Sequence, residues 1–180
     1  MGSPLRTWVF GYGSLIWNPG FAYQESVRAS LMGWRLKFWQ ASSDHRGTPE
    51  FPGRVVTLVP HVEGVVWGRA YAIDGDQDTI LAYLDHREKG GYRRVHFEIE
   101  SETGERLRAL TYLGTHDNPS YVGPECETLT ANVIRRAVGP SGPNIEYLRL
   151  LHQSHSELKV VDPHVEKLLR LVSAPVHSQE

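Results

Sequence analysis

The first half of the chain shows the two-residue alternation of apolar and polar positions that is typical of β-strands. The clearest case is Leu31 to Gln40, where Trp34, Leu36 and Phe38 alternate with charged or bulkier positions. Other strand-like stretches are rich in β-branched and aromatic residues and are bounded by Gly, Pro or Asp. They are the start of the Trp8–Trp17 stretch, Arg54–Val59, Val65–Ile73, and Arg93–Glu100 with Leu107–Leu113 around a Thr103-Gly104 turn.

Helical periodicity appears once within this β region and then takes over the last third of the chain. Asp76 to Arg87 carries apolar residues at helical spacing, and Gly90-Gly91 is expected to end that helix. The later helices are predicted over Pro124–Val138 and Asn144–Leu158, followed by a short final helix that Asp162-Pro163 opens. The segment Ser42–Gly53 is rich in Gly, Pro and charge, and it is long enough to cover a site.

This order of elements predicts an α+β fold. We expect a small, curled, mostly antiparallel β-barrel-like sheet with one internal helix and a helical C-terminal segment. The 180 residues, 40% of them hydrophobic, suffice for one domain with a real core. We expect a flexible leader over 1–7, a single domain over 8–172 and a flexible tail over 173–180.

Charge and cysteine content narrow the setting of the protein. A formal net charge of −2 argues against a nucleic-acid or anionic-membrane partner, because both usually select a strongly basic face. No apolar run reaches the roughly 20 residues of a membrane span. The single cysteine, Cys126, cannot form an internal disulfide, so we expect a cytoplasmic location. The sequence leaves the oligomeric state open.

The run from Val9 to Trp17 (VFGYGSLIW) reads as a buried strand that enters a glycine-hinged loop. Gly11 and Gly13 permit positive φ or close backbone approach, so the loop can present bare N–H groups to a ligand. Its spacing fits neither a dinucleotide fingerprint nor a P-loop nor a hydrolase elbow, so Ser14 is not expected to be a nucleophile. A tight turn between two strands is the structural alternative.

Glu88 is the second informative position, because it follows directly on the predicted internal helix. The exposed carbonyl groups at a helix end disfavour a carboxylate, and burial would raise its pKa further, toward a range suited to proton transfer. Arg87 and Lys89 would oppose that shift if their side chains point inward. An ordinary exposed helix-end glutamate is the alternative.

Three further groups of residues suggest weaker possibilities. His152 and His155 stand three apart on a predicted helix, but no zinc-type spacing of Cys, His or Asp accompanies them, so no metal site is expected. We expect both to be surface residues. Cys126 lies between two glutamates, which should disfavour its thiolate. The five tryptophans lie mostly on strand-like segments without a basic stripe, which favours core and pocket walls over base stacking.

Taken together, the motifs resemble those of the ChaC-like glutathione-specific γ-glutamylcyclotransferases. The resemblance spans Trp8 to the final helix, with departures confined to tips and ends. The motifs that carry it are VFGYGSLIW at 9–17, FWQ at 38–40, DHRG at 44–47, PGRVVTL at 52–58, REKGGY at 87–92 and GPSGPNIEYL at 139–148.

The resemblance implies cleavage of glutathione to 5-oxo-L-proline and Cys-Gly, without metal or organic cofactor. Glu88 matches the family's catalytic glutamate and is expected to act as general base and then general acid. The loop that matches the family's substrate-binding loop comprises Val9, Phe10, Gly11, Tyr12, Gly13, Ser14 and Leu15. Arg46 and Arg54 are the candidates for the two substrate carboxylates.

Other interpretations stay open at this point. Tyr112 and Tyr147 fit the pocket wall and fit the core equally well. The same loop and glutamate would also serve a cyclotransferase for other γ-glutamyl amino acids or γ-glutamylamines. A non-catalytic module that binds a γ-glutamyl group or a protein partner is a further alternative, which the presence of Glu88 argues against.

Overall fold

A computed structural model describes residues 6–175 of the chain. Most of the expected leader (1–7) and tail (173–180) lies outside this range, so the domain bounds stay a prediction. The elements are β1 (Trp8–Gly11), a 3-10 turn (Ser14–Ile16), β2 (Tyr23–Ser42), β3 (Gly53–Ile73), α1 (Gln77–Arg87), β4 (Tyr92–Ser101), β5 (Arg106–Gly114), α2 (Glu127–Arg136), β6 (Val138–Gly139), β7 (Gly142–Pro143), α3 (Asn144–Glu157) and α4 (Pro163–Ser173).

Five strands close into a barrel in the order β1-β3-β2-β4-β5. All neighbouring pairs are antiparallel except β1 with β5, which run parallel. Closure removes the exposed sheet edges of an open sheet. The predicted α+β class, the mostly antiparallel barrel-like sheet, the internal helix and the helical C-terminal segment are all confirmed.

The long strands β2 and β3 were predicted only in part. The sequence suggested two separate strands on either side of Pro60 to Gly64, whereas β3 runs through this segment without ending. The β2–β3 pairing instead shifts register between Met32 and Trp34, next to Gly33 at φ 84°. Such an irregularity interrupts the two-residue period without ending the strand, which is why the pattern breaks there.

Two apolar clusters hold the structure together, and β1 separates them. Phe10 packs in the main cluster, which fills the space between the barrel and α2–α4. Val9, on the opposite face of the strand, packs in a smaller cluster with Leu81 and Leu84 of α1. Leu84 is fully buried, so the C-terminal end of α1 has a fixed position against the barrel. Among residues 6–175, no helix is long and apolar enough to cross a membrane.

Candidate active site

A cavity of about 400 Å³ opens where the glycine loop, the end of α1, the 43–52 loop and α3 meet. This volume lies in the usual range of small-molecule pockets, roughly 300–1,000 Å³. The structure brings most of the predicted site residues to its wall. These are Phe10, Tyr12, Gly13, Ser14, Leu15, Arg46, Glu88, Tyr112 and Tyr147.

Arg54, Val9 and Gly11 do not line the cavity. The Arg54 guanidinium forms a double contact with Glu125, Nε to Oε2 at 3.0 Å and Nη2 to Oε1 at 2.9 Å. The two side chains are only 13% and 9% exposed. We therefore correct the expectation that Arg54 binds a substrate carboxylate, because its charge is already matched. Val9 faces the α1 cluster instead.

The glycines of the loop are required by space rather than by unusual backbone angles. Neither Gly11 nor Gly13 has a positive φ. A Cβ on Gly11 would lie 2.6 Å from Leu15 Cβ, and one on Gly13 would lie 3.0 Å from the Tyr147 hydroxyl oxygen. The first hydrogen bond of the 3-10 turn runs from Ile16 N–H to Gly13 O at 3.0 Å. The turn therefore does not use the N–H groups of Ser14 and Leu15.

Glu88 is the residue that ends α1. Its N–H donates to Leu84 O at 2.9 Å, which completes the last helical turn. Gly91 then adopts φ 102°, a conformation that favours glycine, and the chain enters β4. The buried Gln40 amide holds this reversal in place, donating to Gly90 O at 3.0 Å. The helix end and the reversal together fix the Glu88 backbone at the cavity wall.

Burial raises the pKa of the Glu88 carboxyl, and this is the largest influence on it. The side chain is 16% exposed. The positive charge of Arg87 is the strongest opposing influence and lowers the pKa, and His45 acts in the same direction. The predicted upward shift is confirmed, as is the opposition from Arg87. The upward shift of the Glu88 pKa is caused mainly by the loss of water around the carboxylate.

Arg87 is a cavity residue that the sequence did not identify as a site residue. Its guanidinium donates to Ser14 Oγ at 3.1 Å and to Asn18 O at 2.6 Å. Its Nε lies 3.6 Å from Glu88 Oε1. One side chain thus links the glycine loop to the candidate acid/base. The sequence signal is only that Arg87 precedes Glu88, and it does not reveal a contact with residues about 70 positions away.

Five tyrosines line the cavity. Tyr83 is exposed, and the hydroxyl groups of the other four differ in what they already bind. Tyr12 donates to Tyr112 O at 2.6 Å, Tyr92 to Val56 O at 2.5 Å, and Tyr112 to Asp85 Oδ1 at 2.6 Å. The Tyr147 hydroxyl instead accepts from Val56 N–H at 3.5 Å. Burial raises the pKa of all four phenols, so each keeps its proton near neutral pH. Tyr147 is therefore the phenol best placed to donate to a ligand.

The 43–52 loop covers the site, as predicted, and brings Asp44, His45 and Arg46 to the cavity. It is pinned to the 139–144 segment, where Ser141 N–H donates to His45 O at 2.9 Å. Arg46 Nη1 donates to Glu146 Oε2 at 2.6 Å and to Pro143 O at 3.2 Å. The Arg46 side chain is only 11% exposed, but Glu146 is half exposed, so solvent screens the carboxylate of this pair and it competes less with a bound carboxylate than Glu125 does at Arg54.

Two of the weaker expectations are wrong. The pKa of the exposed Cys126 thiol is lowered, because Cys126 stands at the N-terminus of α2, where the backbone N–H groups of Thr128 and Leu129 favour the thiolate. His155 is buried rather than a surface residue, whereas His152 contacts Glu166 at 2.8 Å. Within residues 6–175, no three His, Cys, Asp or Glu side chains are grouped so as to hold a metal ion.

Comparisons with known proteins agree with the motifs. The sequence model of a family described as "ChaC-like protein" matches residues 7–175. The chain is 44% identical to human glutathione-specific γ-glutamylcyclotransferase 1, covering 82% of this chain and 68% of the relative. It is 41% identical to γ-glutamylcyclotransferase 2-3 of Arabidopsis thaliana, over 93% and 89% of the two chains.

A solved structure shares the fold over nearly the whole chain. It is the crystal structure of a γ-glutamyl cyclotransferase specific to glutathione from yeast, at 32% sequence identity. The TM-score is 0.86, and the match covers 92% of this chain and 95% of the yeast chain.

Proposed function

The chain belongs to the ChaC-like protein family, and from that premise we propose that it cleaves glutathione to 5-oxo-L-proline and Cys-Gly in the cytoplasm. One observation carries the proposal. A carboxyl group whose pKa is raised by burial, that of Glu88, shares a cavity with the glycine loop and with an arginine, Arg46, whose ion-pair partner is half exposed. No nucleic acid, membrane or cofactor enters the proposed reaction.

The reaction is intramolecular, so its demands on the protein are mainly geometric. The γ-glutamyl α-amine attacks its own γ-amide carbonyl, a five-membered lactam closes, and the cysteinyl amine leaves. Holding such a chain in a reactive conformation can remove about 7–11 kcal/mol of barrier. We propose that the loop from Tyr12 to Leu15 imposes that conformation. The unused N–H groups of Ser14 and Leu15 are our candidates for binding the γ-carbonyl oxygen as it gains negative charge.

Glu88 is proposed as the single proton carrier. Its ionised carboxylate accepts a proton from the attacking α-amine and then returns a proton to the departing cysteinyl nitrogen. A carboxyl with a raised pKa suits both steps, because a pKa nearer to the working pH lets it take up a proton in the first step and release one in the second. Arg87 contacts both Ser14 and Glu88, and we propose that it fixes the position of the loop relative to the Glu88 carboxylate.

Arg46 is proposed to bind a substrate carboxylate, whereas Arg54 stabilises the fold. Substitutions at the two positions should therefore have opposite effects on KM and on the free energy of unfolding. We expect Arg46→Met to raise KM for glutathione about tenfold to a hundredfold with little change in the free energy of unfolding. Arg54→Met should leave KM nearly unchanged but destabilise the fold by about 3–5 kcal/mol, because the buried Glu125 carboxylate loses its cationic partner. Steady-state kinetics and urea unfolding of both variants check this. A large KM effect from Arg54→Met at full stability would contradict the assignment.

Substrate profiling separates the proposal from its alternatives. The purified protein should cleave glutathione with a higher kcat/KM than γ-glutamyl amino acids or γ-glutamylamines. Glutathione acetylated on the α-amine lacks the nucleophile and should bind without reacting. A preference for another γ-glutamyl compound would reassign the substrate, and binding of all of them without any cleavage would favour a non-catalytic module.

A further inference from the structure

A second cavity, of about 350 Å³, lies against the middle of β3 and the C-terminal end of α3 and shares no residue with the first. Along α3, Tyr147 lines the first cavity and His155 the second, eight residues or roughly 12 Å further along the helix axis. β2, through Arg28 and Leu36, and the segment that links α3 to α4 form the remaining walls. Nothing in the proposed reaction uses this cavity.

Unpartnered polar atoms are concentrated at this second cavity. Within residues 6–175, three buried side-chain nitrogen or oxygen atoms have no hydrogen-bond partner, and two of them belong to residues that line it. These two are Arg28 Nε and His155 Nδ1. His155 is only 4% exposed. A buried polar group without a partner destabilises a fold, so these two unpartnered nitrogen atoms indicate that a ligand binds in the cavity.

The charge at the second cavity is positive. The Arg28 guanidinium lies 3.9 Å above the Trp67 ring centroid, and in the described part of the chain no carboxylate forms an ion pair with it. Lys159, at the rim, is likewise without an ion pair among those residues. Asp162 also faces the cavity, but its carboxylate caps α4 by accepting from His164 N–H at 2.9 Å and Val165 N–H at 3.1 Å. These hydrogen bonds leave the charge of Asp162 in place, so the cavity carries two cations against one carboxylate, which is held at the helix end.

We infer that the second cavity binds a compact oxyanion, a carboxylate or a phosphate, between the Arg28 guanidinium, the Lys159 ammonium and the His155 ring. Arginine suits this task because its planar fork matches two oxygen atoms at once. Trp67 holds the guanidinium plane by stacking. Burial lowers the pKa of His155, so its ring is neutral near pH 7 and carries one N–H that can donate to an anion.

Lys159 adds an independent observation on the backbone. It is the one non-glycine residue with positive φ in the described residues, at φ 56° immediately after α3 ends. Glycine is the usual residue in that conformation, since any side chain raises its energy. Lys159→Gly should therefore raise the stability of the protein. The same change removes a cation from the rim and should weaken anion binding, so stability and binding move in opposite directions.

The test is an NMR titration of the full chain, followed through the Arg Nε–H and Trp indole N–H signals. Inorganic phosphate and acetate are added in separate series, with sodium chloride keeping the ionic strength constant. We expect saturable shifts of the Arg28 and Trp67 signals, and the anion that saturates first identifies the source of the ligand. Shifts that grow linearly, or that chloride alone reproduces, would overturn the inference and leave water as the occupant.

Matched variants separate this site from the first cavity. Arg28→Met keeps an apolar stem over Trp67 and should weaken anion binding about tenfold to a hundredfold. Arg35→Met, on an exposed position of the same strand, should leave it unchanged. Both variants should retain the glutathione-cleaving activity of the parent, because neither residue lines the first cavity. Equal anion binding by the parent and by Arg28→Met would refute the assignment, whatever the outcome for glutathione.

Discussion

Replacing Glu88 by Gln is expected to lower kcat for glutathione by about 10²–10⁴-fold, the usual contribution of a general acid–base group. The amide keeps the size of the side chain but cannot accept the proton of the attacking amine. Glutathione should still bind, because the proposed binding groups are the loop N–H groups, Arg46 and Tyr147. Steady-state kinetics for turnover and calorimetry for binding measure the two effects separately.

Stability provides a second readout for the same variant. Burial raises the pKa of Glu88 in the folded state above its unfolded value, so the carboxyl favours folding when protonated. That contribution is lost as pH rises through the folded pKa, and near neutral pH an ionised Glu88 destabilises the protein. Glu88→Gln should therefore unfold at the same temperature as the parent or higher. Glu98→Gln, at an exposed ion pair, is the control and should change neither property.

Replacing Arg87 by Met is expected to produce the second largest loss, because it releases the loop from the helix end. A misplacement of about 1 Å between reacting groups can cost on the order of 10²-fold in rate, and we expect a loss of kcat/KM of that size. The guanidinium donates to Ser14 and Asn18 and lies beside Glu88. Met retains the apolar stem while removing these contacts.

The pH profile distinguishes this positioning role from a loss of folding. In the parent, kcat/KM should fall as the pH drops through the Glu88 pKa. This acid limb of the profile should lie at higher pH than the range in which an ordinary glutamate titrates. Arg87 lowers that pKa, so its removal should move the acid limb to higher pH. Arg93→Met, which breaks an exposed pair with Asp117, should leave the profile in place. An unmoved acid limb in Arg87→Met would show that Arg87 does not act on Glu88.

Much of this molecule could be predicted from local sequence patterns. Alternation and β-branched composition located the strands, and Asp162-Pro163 located the start of α4, where Asp162 caps the first turn. Glu88 was found because it directly follows a predicted helix, a local feature, although its raised pKa comes mainly from burial. Motifs gathered from six separate stretches then indicated the family, which no single stretch could have done.

Apart from the Cys126 thiol, whose pKa is set by the neighbouring helix N-terminus, the errors concern contacts between distant parts of the chain. Arg54 looked as suitable as Arg46 until the fold brought Glu125, 71 residues later, against its guanidinium. Arg87 and the Tyr147 hydroxyl could not be ranked, because their roles depend on which partners occupy the other atoms. The buried position of His155 was missed for the same reason, since burial depends on tertiary packing.

The identity of the products tests the central claim most directly. We expect glutathione treated with the purified protein in ¹⁸O-labelled water to give equal amounts of 5-oxo-L-proline and Cys-Gly, neither carrying label from solvent. This outcome follows because the nucleophile is the substrate's own α-amine rather than water. Free glutamate labelled in its γ-carboxylate would show hydrolysis and contradict the account, and intact glutathione would contradict the enzymatic function altogether.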